Sequence, residues 1–549
     1  MKHFKLVTSI LCLPLLFSIS LNKNNDGAVS SVAYSQRRLE KYQQNAISMI
    51  NNIDLDNYRT KEAEEIAQLI TQTSSRITSS NDYDEIDAIV SSYNRYILTI
   101  KTNAQLTKEE QEANVNDNTV YYISSLSDLL EFRDDVNDGY NYSGETVKLT
   151  QDIVIPSGQS FGTPIGSTEA KAFAGVFDGQ NHKIVNLKIS AATCAFIYFG
   201  TNCTIKNLSF ENVNITATTQ RAAAVISRAD GVRLENVNIL SGTITGPTQS
   251  GGLIGASLGN SGETIITNCS NAASINTTGT NGSSAGAVGY VYNGSLTINN
   301  FINTGAINSE TKYAGGILGQ INSLTTSVSL FNCTNTANIM CKGFGASGIS
   351  CASSGLNLNI EDCSNTGNIT NAGEGTGGVF GYCASVKTGS QVRVKNCTNS
   401  GIISGQSNGT GGVVGAHNAN ASYITFIVED CTNHGTVNGV NYTGGVIGLI
   451  RNSTESSYID KCYNYGNVTA SSTSGTVGCG GIVGTARVNI TNCGCYTEAI
   501  LSVTAKSITK KASELNEKGT PGYIALNYET NCKVHTNNIL INLDGTAYN

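Results

Sequence analysis

Asn268-Cys-Ser-Asn-Ala-Ala-Ser-Ile275 returns as Asn332-Cys-Thr-Asn-Thr-Ala-Asn-Ile339, Asp362-Cys-Ser-Asn-Thr-Gly-Asn-Ile369 and Asn396-Cys-Thr-Asn-Ser-Gly-Ile-Ile403. It returns again as Asp430-Cys-Thr-Asn-His-Gly-Thr-Val437 and Lys461-Cys-Tyr-Asn-Tyr-Gly-Asn-Val468. Asn300-Phe-Ile-Asn-Thr-Gly-Ala-Ile307 is the same phrase with Phe in the Cys slot. The slot falls at 269, 301, 333, 363, 397, 431, 462 and 493, so successive intervals are 32, 32, 30, 34, 34, 31 and 31. A second phrase keeps step: Gly251-Gly-Leu-Ile-Gly255, Gly315-Gly-Ile-Leu-Gly319, Gly377-Gly-Val-Phe-Gly381, Gly411-Gly-Val-Val-Gly415, Gly444-Gly-Val-Ile-Gly448 and Gly480-Gly-Ile-Val-Gly484. A period of this size marks a solenoid, in which each unit buries its apolar face only against its neighbours.

No repeat contains a helical period. Short β-branched runs such as Val392-Arg-Val394 alternate with Gly, Asn, Ser and Thr clusters, which reads as strand and turn. The Cys slot is expected to point inward. The Asn two places later is expected to close a corner with a left-handed backbone and to bond the Asn of the next coil. Gly takes the next corner in most copies, and the Ile or Val six places after Cys turns inward again. The fold class is mainly β: a right-handed parallel β-helix with one coil per repeat, preceded by a small N-terminal helical bundle. Ten slots from Leu208 to Cys493 then stack to about 50 Å.

The Gly-Gly-aliphatic-aliphatic-Gly phrase resembles the GLUG motif of secreted and surface-attached, mostly bacterial, proteins. The resemblance spans Val120 to the C-terminus. It implies a β-helix and an adhesin-like role. Related repeats also sit beside the catalytic domain of some large surface peptidases. The motif is a stacking device, so it speaks for architecture rather than activity.

Composition agrees. The 549 residues include 58 Gly, 5 Pro and no Trp; charged residues are 14% and the formal net charge is −7. No basic run with interleaved aromatics suggests a nucleic-acid partner. Met1-Lys-His-Phe-Lys5 and the apolar run Leu6 to Leu21 read as a secretory signal, with cleavage after Ser20 or Ala33. No later stretch approaches the ~20 apolar residues of a membrane span.

The chain divides into a signal peptide (1–33), a three-helix module (34–102), a linker (103–119), a capping helix with leading coils (120–206), regular repeats (207–495) and a C-terminal cap (496–549). In the helical module three apolar stripes stand out: Leu39, Tyr42, Ala46, Met49 and Ile53; Ala63, Ile66, Ile70, Thr73 and Ile77; Ile86, Ile89, Tyr93, Tyr96 and Ile100. Asn57 and Asp82 stand where N-caps belong. Tyr58-Arg-Thr-Lys-Glu62 with Ile100-Lys-Thr-Asn103 is similar to helical modules at the N-termini of Gram-positive surface proteins. Ser125-Leu-Ser-Asp128 is a capping box opening a helix that covers the first coil.

Candidate chemistry is sparse. His182 in Asp178-Gly-Gln-Asn-His182 could be an acid–base pair, but reads better as a tight turn. Acidic residues are scattered singly along the coils, and the pairs Glu361-Asp362 and Glu429-Asp430 are sequence neighbours on opposite strand faces, so they do not converge. No H-E-x-x-H or calcium nonapeptide is present, and no G-x-S-x-G reads as a strand-to-helix nucleophile elbow. The cysteines lack zinc spacing, Cys493-Gly-Cys495 being the only close pair. Cys333, Cys363, Cys397, Cys431, Cys462 and Cys493 are expected to be reduced, buried and stacked, because parallel Cβ vectors a coil apart exceed bridge spacing. Cys194 and Cys203 are better candidates for a disulfide. Tyr463, Tyr465 and Tyr496 are either an aromatic glycan shelf or scattered surface tyrosines. Sequons at Asn293, Asn408, Asn441 and Asn452 arise readily in an Asn- and Thr-rich repeat.

No catalytic, cofactor-binding or metal residues are assigned, and no cofactor is expected. The leading expectation is a secreted or cell-surface adhesin-like protein binding glycans or host or matrix proteins without catalysis. The alternative is a glycan-active β-helix enzyme, a lyase or hydrolase, in which His182, Arg393 or Lys461 would be essential. A plain stalk is the third possibility.

Overall fold

One repeat makes one coil. The chain passes through a strand at Thr264–Asn271, turns into Ser274–Thr277, then Ser283–Ala285, and enters the long strand Val288–Asn303, whose second half already belongs to the next coil. Coils pair in parallel and in register: Cys269 lies opposite Phe301, Ile275 opposite Ile307 and Ala285 opposite Gly315. The computed structural model describes residues 31–97, 99–102 and 120–541, apart from 311, 355–356, 384–388, 418–423, 452, 474–476, 487, 505–507, 515, 518–519, 522, 527–534 and 537–538. Residues 1–30 of the expected signal segment and the linker at 103–119 lie outside them. The fold is mainly β, a parallel β-solenoid of about 11 turns with a small N-terminal helical region. Two compact units are distinguished, Met1–Asp117 and Asn118–Asn549.

Every Cys-slot residue from Cys269 to Cys493 is buried, and so is every Ile or Val six places on, from Ile275 to Val468. The left-handed residue, however, is not the Asn after Cys. It is the residue before Cys: Asn268, Asn300, Asn332, Asp362, Asn396, Asp430, Lys461 and Asn492 have φ between +49° and +57°. The reason is parity. Ile266 and Cys269 both point inward although three residues apart, as do Val394 and Cys397. A strand alternates with period two, so one extra residue must be absorbed at a kink. Asn and Asp tolerate that conformation best.

The Asn two places after Cys is wholly buried instead. Asn271 donates Nδ2–H to Asn303 Oδ1 at 2.9 Å, and the ladder continues through Asn335, Asn365, Asn399 and Asn433 to Asn464, each step 2.7–2.8 Å. The second amide proton goes to the carbonyl two residues on, as in Asn399 to Gly401 at 2.9 Å. Each interior amide thus has both donors engaged and an acceptor filled by its neighbour, which makes burying it tolerable. The ladder starts where Ile239 lies opposite Asn271 and ends where Asn464 donates to Cys495 Sγ at 3.9 Å.

The glycine phrase packs against this ladder. A Cβ on Gly412 would come within 2.1 Å of Gly445 O and 2.3 Å of the Asn433 side chain; one on Gly411 would meet Val414 O at 2.0 Å. These glycines are required by close backbone approach, since neither has positive φ.

The leading coils are built differently. Phe161, Phe177 and Phe210 each meet Phe196 at 5.4–5.8 Å between ring centres. Helix α4, Leu126–Asp138, lies over the first coil through Leu129, Phe132 and Val136, with Phe132 5.6 Å from both Phe173 and Phe177. Ser125 Oγ accepts from Asp128 N at 3.2 Å, and the Asp128 carboxylate returns to Ser124 N at 2.8 Å. At the other end the pairing turns antiparallel, Ile500–Val503 against Ile508–Lys511 and Val477–Gly480 against Tyr523–Leu526. One more parallel rung, Ile539–Ile541, is added beside Gly494–Tyr496.

In the helical unit α1 (Ser31–Asn51), α2 (Thr60–Ser79) and α3 (Tyr83–Ile97) enclose Ala46, Ile50, Ile77, Ile86, Ile89 and Tyr93. Ile50 replaces the expected Met49, which is 63% exposed. Tyr96 faces outward to bond Glu65, and Tyr93 OH donates to Ile50 O at 2.8 Å. Asn57 ends a short 3-10 turn, Leu55–Asn57, and Arg59 precedes α2 without a side-chain cap. Asp82 directly precedes α3, and its carbonyl accepts from Ile86 N at 3.1 Å. Among the described residues no helix is long and apolar enough to cross a membrane.

Candidate functional site

The outward face of the coils between Glu361 and Asn492 gathers charges that stand far apart in sequence. Glu361, Lys395, Glu429 and Asp460 fall in one register row, and Arg393 and Tyr458 in the row beside it. Arg393 forms an ion pair with Glu429 Oε1, and Lys395 Nζ lies 3.7 Å from Glu361 and 4.0 Å from Glu429. Tyr458 OH donates to Glu429 Oε2 at 2.9 Å. Burial, reinforced by that hydrogen bond, pushes the Tyr458 phenol up to about 12. Thr491 and Asn492 donate to Asp460 Oδ1 at 2.6 and 2.7 Å.

Within a pair the sequence expectation agrees with this geometry: Glu429 lies in a strand, Asp430 at the left-handed kink. Across coils Glu361 and Glu429 do converge, on Lys395, which corrects the expectation that the acids do not. The signal was one coil period, 34 residues from 361 to 395 and again to 429. Chemically the stripe is a set of paired charges, with the Lys395 and Arg393 cations between and beside the glutamates. Both Glu429 oxygens are engaged, whereas a general base must reach the proton it abstracts. Burial raises the Asp430 carboxyl, with Lys461 opposing the shift. Lys461 itself occupies the kink at φ +50° and points to no carboxylate at ion-pair distance among the described residues.

His182 ends a tight turn, with its N–H bonded to Gly179 O at 2.7 Å and Gln180 and Asn181 at φ +50° and +65°, the signs of a type I′ turn. Its Nδ1 lies 3.3 Å from Asp152, not Asp178. Asp178 is nearly buried and accepts from Gln180 N, Gln180 Nε2 and Asn207 Nδ2 at 2.7–3.1 Å. The two groups the sequence placed side by side are therefore held by different partners.

Tyr465 and Tyr496 do come together, in a ladder that starts at His434. The His434 and Tyr465 rings stack at 4.8 Å and 11°, and Tyr465 meets Tyr496 at 6.3 Å. Tyr463 lies in another row, over Gly494, where a Cβ would sit 2.9 Å from its ring. Only His434 and Tyr465 stack face to face; Tyr496 is tilted by 35° against Tyr465, and Tyr463 stands apart from both.

All fourteen described cysteines are free and buried. In the row, Cys333 N and Cys462 N donate to the sulfur one coil on, Cys363 and Cys493, at 3.4 Å. Burial pushes the Cys333, Cys397 and Cys462 thiols well up. The expected Cys194–Cys203 pair does not form: Cys194 bridges to Ala222 in one sheet, while Cys203 follows Ile197–Thr201 in another. Among the described residues no group of three or more His, Cys, Asp or Glu is placed to hold a metal.

No protein-family model matches the chain. Over 142 residues, 25% of its length, it is 30% identical to halomucin of Haloquadratum walsbyi, of which the match spans 2%. Among solved structures it is similar to a "putative immunoglobulin A1 protease" from Bacteroides ovatus, at 16% identity and a TM-score of 0.25, covering 78% of this chain and 86% of that one.

Proposed function

We propose that the chain is an exported, surface-associated repeat protein of GLUG type that works by binding extracellular glycans or host or matrix proteins, without catalysis. The observation that supports this reading is the unbroken interior. From Asn271 to Asn464 every rung keeps its amide, and every slot from Cys269 to Cys493 keeps a buried Cys or Phe. A catalytic site on such a scaffold replaces stacking residues with acid, base or metal ligands. Here Glu361, Arg393, Lys395 and Glu429 are engaged with one another, and the remaining outward positions carry mostly Ser, Thr and Asn. Uncharged polar groups repeated at coil spacing give many weak bonds, which suits multivalent attachment.

The test exposes the full chain to a panel of acidic polysaccharides, with and without calcium, and measures retention and release of shortened products. Retention without scission is expected, little changed by substitution of His182, Arg393 or Lys461. Product release that depends on any one of them would replace this reading with the enzyme.

A further inference from the structure

The two register rows that flank the glycine phrase are uncharged except at one place. The row ahead of the phrase reads Arg221, Gln249, Ser283, Tyr313, Gly345, Gly375, Gly409 and Tyr442 along successive coils. The row behind it reads Phe199, Arg228, Ala256, Tyr290, Gln320, Ala352, Tyr382, Ala416 and Leu449. Two guanidiniums thus enter the same coil at positions that elsewhere hold small, aliphatic, aromatic or amide side chains.

They are not equally partnered. Arg228 forms an ion pair with Glu169 and lies 5.2 Å over the Phe199 ring. Arg221 has no carboxylate within ion-pair distance among the described residues; its Nη1 donates to Gln220 Oε1 at 3.2 Å, and its buried Nε has no partner. Burial, and then the charge of Arg228, lower the Arg221 pKa. A mostly buried cation facing a second cation, on a chain of net charge −7, is costly unless an anion joins it.

A cavity of about 390 Å³ opens beside it. Its lining carries the hydroxyls of Thr163, Ser167, Thr193 and Thr219, the Gln220 amide and the Tyr198 ring. Gln220 lines the cavity and its Oε1 accepts from Arg221 Nη1, so the guanidinium borders this lining without being part of it. Hydroxyls, of which Thr219 already donates to Ala192 O, one amide and one aromatic ring next to a cation offer polar groups, a flat face and a charge suited to a pyranose that bears a carboxylate.

We propose that this cavity is a binding subsite for an acidic sugar, a uronate residue of a glycan chain, with Arg221 receiving its carboxylate. The proposal rests on the glycan-binding reading above and names the ligand class and the place. An acidic peptide offers the carboxylate but not the ring of hydroxyls, and the small cavity with a hydroxyl-rich wall favours the sugar.

The test uses the full chain and isothermal titration with a galacturonic acid trimer, the matching neutral galactose trimer, sodium acetate and a tri-glutamate peptide. The uronate trimer should bind at least tenfold more tightly than the other three. Arg221→Gln should lose at least tenfold of that affinity, Arg221→Lys should keep part of it, and Arg393→Gln on the distant coils should change nothing. Unchanged melting of the Arg221 variants separates recognition from folding; if Arg221→Gln melts early, Arg221→Lys and the four-ligand ranking on the native chain carry the test. Equal binding of the neutral trimer, the peptide or acetate, no binding of the uronate, or full affinity in either variant overturns the proposal. Retention of long polysaccharides that persists in Arg221→Gln while the trimer fails leaves the general binding role intact and removes only this site.

Discussion

The regular coils and the leading coils solve the same problem by different means. From Asn268 onward the interior is lined by rows of like side chains, an amide on an amide and a thiol near a thiol, each satisfied by its copy one coil away. From Val120 to Lys206 the interior is filled by phenylalanines of unlike orientation that interdigitate, 44–82° between planes around Phe196 and its neighbours. Rows tolerate extension but propagate damage along themselves; a jigsaw core resists extension but confines damage. That difference also explains where the proposed subsite lies. Arg221 and Arg228 sit in the coil that joins the two regimes, where the rows have begun but the repeat has not settled.

The largest effect should come from the middle of the amide row. Asn399→Asp replaces two donors with a carboxylate oxygen facing Asn433 Oδ1 and Gly401 O. Denaturant unfolding should show a loss of about 4 kcal/mol. Because the buried acid will have a raised folded pKa, the loss should be greatest at neutral pH and shrink as acidification passes through that pKa. The same change at Asn464, whose forward partner is the Cys495 sulfur at 3.9 Å rather than another amide oxygen, should cost clearly less. Equal losses at both positions would mean the ladder does not act as a row.

Phe196→Ala should cost about 3 kcal/mol. Here the spread, more than the size, is informative. Hydrogen exchange should show lost protection at Ile197–Thr201 and none at Thr398–Asn399. Loss at both would merge the two regimes.

Cys397→Ser, placing an extra-polar group in the buried thiol row, should cost about 2 kcal/mol. The native protein should leave the described cysteines unmodified by a thiol reagent until denaturant is added, given their burial.

Lys461 is the one kink residue that is neither Asn nor Asp among the regular coils at φ near +50°. Lys461→Asn should stabilise by about 1 kcal/mol, read as a higher unfolding midpoint. No gain would show that the kink conformation there carries no strain.

Smallest is the outer charge stripe. Arg393→Gln breaks the contact with Glu429, yet Arg393 is 34% exposed, so less than about 1 kcal/mol should be lost, and less again in high salt. A larger loss would make the stripe a structural row like those inside.

The repeat period, the inward Cys and Ile slots, the stacked amide and the capping helix were all legible in the order of residues, because each is a local preference copied at constant spacing. Asn268 to Ile275 states the coil, and its copies state the stack. What needed three dimensions is whatever depends on parity or on another coil. The left-handed kink lies before Cys, not after it, because strand alternation and the inward positions of Ile266 and Cys269 conflict, and only the built coil shows where the odd residue is absorbed. Glu361, Lys395 and Glu429 meet because parallel register adds one period to each, and Asp178 and His182 separate because a turn sends them to different neighbours. Arg221 carries no mark in the sequence at all; its lack of a carboxylate, and the cavity next to it, follow from which side chains adjacent coils place around it.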